Sequence, residues 1–176
     1  NIFRLQDEIV DDIVQQLVGA GAVLTKDLNK RAAKKGTENL TAFECVNFAR
    51  GVAHQGIRRE DNAKALNCLK EAVKLDASYA DAWRWYGHLT SWEYSTYEGD
   101  KKLLKDAARF VAKAISLDPG DGEAYAVQGE IAYYDGDWST MYHSYEKALG
   151  LLPGNVFVLG QVAWGFGMGG ECTTEE

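Results

Sequence analysis

Three stretches of this chain end alike: EAVKLDASYADAW, KAISLDPGDGEAY and KALGLLPGNVFVL. Superimposing them puts Ala72, Ala114 and Ala148 in one column, and Ala77, Pro119 and Pro153 in another. The last two alanines are 34 residues apart and the first two 42 apart. A unit of that length, repeated, cannot bury its own apolar face and must stack on its neighbours, so repetition narrows the possible folds to a solenoid. With 176 residues and 46% hydrophobic content, the chain has enough apolar material for such a stacked core.

Within each copy the apolar spacing is helical. In the second, Trp83, Tyr86 and Gly87 open a first helix, and Leu103, Leu104, Ala107, Phe110, Val111, Ala114 and Ile115 recur at three- and four-residue intervals on a second helix starting near Asp100. Its eight extra residues lie in SWEYSTYEGD and imply longer helices around a longer turn at Gly99. In the third copy, YDGD separates the helices, with Gly136 suited to a left-handed cap and Asp137 to the next N-cap. Pro153 cannot continue a helix interior and marks the exit. The first copy places Cys45, Phe48, Ala49 and Val52 on one helix and Ala65, Leu69 and Ala72 on the next. Beyond Pro153, Leu159, Val162, Ala163 and Phe166 form the first helix of a fourth copy. Gly129 and Ala148 are small residues expected to face one another at a helix crossing, with Tyr125 and Tyr145 beside them.

The third copy, with Tyr125, Gly129, Gly136, Trp138, Tyr145, Ala148 and Pro153 in place, resembles the tetratricopeptide (TPR) repeat. The resemblance implies an all-α, right-handed superhelix of about three helix pairs, with a lead-in helix before it and an unpaired helix after it. The boundaries expected are 1–38 for lead-in helices, then repeats at 39–77, 78–119 and 120–153, a partial copy at 154–170, and a tail at 171–176. The lead-in carries an apolar stripe through Phe3, Leu5, Ile9, Val10, Ile13, Leu17 and Val18, then a basic helix from Thr25 to Lys35. NIFRLQDEIVDDIVQQL, followed by ENLTAFECVNFARG, is similar to the junction in large bacterial proteins that join a class III nucleotide cyclase or DNA-binding regulator, through a TolB-like segment, to C-terminal TPRs. Asn1 at the start and a fourth copy without its second helix suggest a piece of such a parent.

Composition and spacing exclude several chemistries. A net charge of −7 opposes nucleic acid as the main partner. No apolar run approaches a membrane span of about 20 residues, and the basic run from Lys26 to Lys35 lacks an apolar face wide enough for insertion. Cys45, Cys68 and Cys172 form no CxxC pair and leave one thiol over, so reduced thiols in a cytoplasmic protein are expected. His54, His88 and His143 are too scattered for a metal site. GFGMGG at 165–170 satisfies GxGxxG, but too few residues follow to supply the helix and acidic residue that a dinucleotide site needs. No serine sits in a nucleophile elbow. No enzymatic activity and no cofactor are expected of this chain.

Binding remains. First helices of stacked repeats line a concave groove, and counting from the core columns puts Arg50, Arg84, His88, Glu130, Tyr133, Tyr134 and Trp164 there. The aromatic set Trp85, Trp92, Tyr94 and Tyr97 serves either that surface or the packing of the extension. A protein or peptide partner follows from the groove. The competing expectation is a spacer or dimerisation element, with Val158 and Trp164 of the last helix left uncovered to pair weakly with a second copy.

Overall fold

The computed structural model describes residues 41–54, 58–97 and 99–169. The lead-in helices and the tail expected at either end lie outside the described residues. Among the described residues there are seven helices and no strand: α1 (Ala42–His54), α2 (Arg59–Leu75), α3 (Ala80–Thr96), α4 (Lys101–Leu117), α5 (Gly122–Asp135), α6 (Trp138–Leu151) and α7 (Val156–Gly169).

Local chemistry sets where these helices begin. Thr41 and Glu44 form a reciprocal capping box at α1, with the Thr41 amide donating to Glu44 Oε2 at 2.9 Å and the Glu44 amide to Thr41 Oγ1 at 3.2 Å. Asp100, Asp121, Asp137 and Asn155 each accept a first-turn amide of the helix that follows. Gly136 ends α5 at φ 79°, a left-handed position where its amide reaches the carbonyls of Ala132 and Tyr133. The second repeat is longer than the third because α3 and α4 have 17 residues each where α5 and α6 have 14, and the turn between them has four residues rather than two. Those differences account for all eight extra residues.

Consecutive helices pair as antiparallel hairpins, α1 with α2, α3 with α4 and α5 with α6. First helices also approach the next first helix closely, α1 to α3, α3 to α5 and α5 to α7, whereas the backbones of the second helices α2, α4 and α6 stay apart from one another. The stack is therefore tight on the first-helix side and splayed on the other, which bends it into a concave inner layer.

The alanine column packs as expected: Ala72, Ala114 and Ala148 are fully buried, and each carbonyl accepts the amide of the helix-ending residue four positions on. The partner of Gly129 is different from the one expected. A Cβ there would lie 2.5 Å from the Tyr145 ring, while Ala148 clusters with Ala126 and Val158. Gly87 stands against Val111 in the same way. Two small residues facing each other would leave a void, so close packing pairs the glycine with a large side chain.

Two further expectations are corrected. Cys45 and Cys68, both buried, form a disulfide between α1 and α2 with Cα atoms 5.2 Å apart, so they are not free thiols. Counting cysteines and looking for CxxC missed the pair because the hairpin, not the sequence, makes them neighbours. Val158 is fully buried against the third repeat, whereas Trp164 stays exposed as expected, together with Val156, Leu159 and Phe166 of α7. No helix among the described residues is long and apolar enough to cross a membrane. Residues Gly165–Gly169 continue α7 as helix, so this glycine-rich stretch is no phosphate-cradling loop.

Candidate functional site

The inner layer lines an open cavity of ≈860 Å³, and among the described residues every one lining it comes from a first helix. Ala53 and His54 contribute from α1, Trp85, His88 and Trp92 from α3, Glu130, Tyr133 and Tyr134 from α5, and Phe157, Gln161 and Trp164 from α7. Spacings of three and four place each group on one helix face. Trp85, His88 and Trp92 follow that rule on α3, as do Phe157, Gln161 and Trp164 on α7.

One wall is aromatic. Trp164 stands edge-on to Tyr133 at 5.2 Å between ring centroids and lies 5.5 Å from Tyr134, while Tyr133 and Tyr134 meet at 5.5 Å. Tyr94 buttresses Tyr134 from outside the cavity at 6.1 Å. Phe157 crosses to the opposite wall, edge-on to His88 at 5.3 Å and tilted against Trp85 at 6.1 Å.

Between these walls lies a small polar floor. His88 Nε2 is 3.4 Å from Glu130 Oε2, and the Gln161 amide donates to that same nitrogen at 3.2 Å. With Nε2 accepting, the His88 proton resides on Nδ1, a buried atom without a partner. Ser91 Oγ lies 3.3 Å from Glu130 Oε1. Glu130 is 2% exposed and its Oε2 accepts no hydrogen bond. The His88–Glu130 distance would suit an ion pair, yet burial pushes both groups toward neutrality. It raises the Glu130 carboxyl to about 8, against a smaller opposing effect of the Ser91 hydrogen bond. His88 is lowered to about 3 by burial, assisted by the Arg84 charge. Desolvation of two facing charges outweighs their attraction here, so the proton stays on the carboxyl.

Five of the seven sequence-derived candidates, His88, Glu130, Tyr133, Tyr134 and Trp164, line this cavity. Arg84 and Arg50 do not. Arg84 is 5% exposed and held by three carboxylates: Asp81, Asp121 at 3.1 Å and Glu123 at 2.6 Å. Burial raises the Asp121 carboxyl and the Arg84 charge pulls it back down. Arg50 reaches the other oxygen of Asp81 at 3.2 Å. Both guanidinium groups approach the Trp85 ring, Arg84 at 5.3 Å and Arg50 at 6.0 Å. Together they form a clamp joining α1, α3 and the start of α5.

Sequence reasoning left Phe157 and Gln161 out of the site, although both sit at helical spacing from Trp164. Trp85 is 3% exposed and serves both cavity and core. Trp83 and Tyr86 pack on Phe110 of α4, Tyr86 stacking at 4.0 Å.

No protein-family model and no curated protein matches the chain. Solved structures do share its fold. YrrB, described as a TPR protein with an unusual peptide-binding site, superimposes with a TM-score of 0.53 at 20% identity, over 70% of this chain and 57% of that one. The chain thus spans little more than half of YrrB. Two structures of MamA superimpose with TM-scores of 0.53 and 0.54 at 18% and 17% identity, each over 89% of this chain and over 82% and 77% of the MamA chains. These likenesses show the fold, an α-α solenoid of TPR type.

Proposed function

We propose that this chain is a protein-interaction module and that its concave cavity holds a segment of a partner protein. The observation that carries the proposal is the cavity itself: ≈860 Å³, lined by four successive first helices, rich in aromatic rings and floored by a few polar groups. Large, rigid aromatic side chains supply contact area at low entropic cost, which is why they dominate binding hot spots. The fold likeness to YrrB, whose description names a peptide-binding site, supports the same idea. The FRLQDEI segment extends it: the module belongs to a larger bacterial signalling or regulatory protein of the cyclase or TolB-associated kind, with any catalysis outside this chain. The Cys45–Cys68 disulfide favours an oxidising compartment over the cytosol, whose reductants oppose such a bond.

Panning a random-peptide library on the purified chain tests this. Wild type should enrich binders, and Tyr133→Ala and Trp164→Ala should each weaken them about tenfold or more with the helical signal unchanged. A wild type that enriches nothing over blank beads, or variants that bind as well as wild type, would overturn it.

A second reading, a spacer that pairs end to end, draws on α7, where Leu159 is 45% and Phe166 42% exposed. Sedimentation over a concentration series separates the two. A dimer abolished by Leu159→Glu, with no peptide captured, favours the spacer.

A further inference from the structure

We infer that the cavity recognises a basic side chain of its partner, an arginine or lysine whose stem lies along Tyr133, Tyr134 and Trp164 and whose charge is directed at the Glu130 floor. The inference rests on the protein-segment reading above and deepens it.

Three observations converge. The first is the unsatisfied acid. A buried carboxyl normally finds partners or a counter-cation, yet Glu130 is 2% exposed, its Oε2 accepts no hydrogen bond, and its nearest basic neighbour is an imidazole kept neutral. The guanidinium one turn away cannot serve it, because Arg84 is already committed to Asp81, Asp121 and Glu123.

The second is the wall. Three electron-rich rings meet at centroid distances of 5.2–5.5 Å beside that acid. Ring faces attract cations, and the attraction strengthens where water is excluded. Long basic side chains also bury their methylene stems on apolar surface while delivering the charge further in.

The third is the sign of the surroundings. Among the described residues, Glu130 is the one acid lining the cavity and no lysine or arginine lines it, and the whole chain carries −7. An incoming cation would therefore meet no like charge in the cavity lining. Because burial holds the carboxyl near 8, the cation also supplies the counter-charge that makes ionisation favourable.

Small probes test the inference independently of any peptide. N-acetylarginine amide, N-acetyllysine amide, tetramethylammonium and the neutral N-acetylnorleucine amide would each be titrated against the indole resonances of the full chain. The arginine or lysine probe should shift the Trp164 indole and bind about tenfold more tightly than norleucine amide. Glu130→Gln, which keeps shape and neutrality, should erase that preference, and Trp164→Leu should weaken both basic probes. Equal binding of the basic probes and norleucine amide would overturn the cation claim and leave the groove standing, as would a preference that survives Glu130→Gln. Binding of tetramethylammonium alone would make the ligand a small quaternary amine, and the protein side chain would be wrong. If no probe binds, the cation site is refuted while the library result still judges the module. If basic probes bind but no peptide is enriched, the cation site stands and the module falls.

Discussion

Arg84 and His88 sit one turn apart on the same helix and are equally buried, at 5% and 4% exposure, yet they belong to different kinds of polar cluster. Around Arg84, three carboxylates drawn from two repeats meet one guanidinium, and each of its three nitrogens lies within ion-pair distance of a carboxylate, although Nε and Nη1 make no well-aligned hydrogen bond. Around His88, a neutral imidazole and a protonated carboxyl face a cavity with Nδ1 and Oε2 unmatched. A matched buried cluster holds the stack together. An unmatched one beside a cavity is where a ligand can complete the hydrogen bonding and the charge. Burial alone does not separate structure from site; the pairing of buried charge does.

The sharpest way to break this comparison is to remove the clamp. Arg84→Ala strands Asp121 and Glu123 without their cation and should cost about 3–5 kcal/mol in equilibrium denaturation. A loss below 1 kcal/mol would mean the cluster is not structural.

The disulfide offers a control lying in neither cluster. Replacing both Cys45 and Cys68 with alanine reopens a 23-residue separation and should cost about 3 kcal/mol on the chain-entropy account. The pH dependence of stability and the probe preference should stay as in wild type. A change in either would couple the first repeat to the site.

The neutral pair makes a smaller, signed prediction. Glu130 is raised on folding, so its contribution is complete below about pH 4.5 and is lost as pH climbs through about 8. His88 is lowered, so its contribution is complete above about pH 6.5 and is lost as pH falls through about 3. Between 4.5 and 6.5 the two slopes oppose each other, and the contribution of the pair is greatest there. From pH 6.5 to 8 stability should fall by about 2 kcal/mol, at up to 1.4 kcal/mol per pH unit. Tyr134 and Tyr145, which also face Glu130, are raised by burial and stay neutral across that window. Denaturation midpoints across this range should show the alkaline decline in wild type and its absence in Glu130→Gln. A wild type that stays flat would show that the carboxyl is ionised throughout.

Much of the scaffold was legible in the sequence, because the features that build it are local. The alanine column, the Asp100 and Asp137 caps and the Gly136 turn each act within one or two turns of chain, so spacing reveals them. What stayed hidden depends on partners from elsewhere. Arg84 and His88 share a helix face, and only Asp121 and Glu123, arriving from the next repeat, mark Arg84 as structural. The Cys45–Cys68 bond and the Tyr145 ring against Gly129 are likewise made by hairpins. Phe157 carried no role in the sequence reading, yet it packs against three core clusters and, across the cavity, against Trp85 and His88.

The smallest expected loss is the most direct test. Equilibrium denaturation of Glu130→Gln at pH 7, beside wild type and Arg84→Ala, asks whether the cavity acid is part of what holds the fold together. The account expects Glu130→Gln to lose nothing at pH 7 and to gain up to about 3 kcal/mol, because the amide takes up no proton on folding, while Arg84→Ala loses several kcal/mol. A Glu130→Gln loss as large as that of Arg84→Ala would contradict it, because the acid would then belong to the scaffold rather than to a ligand.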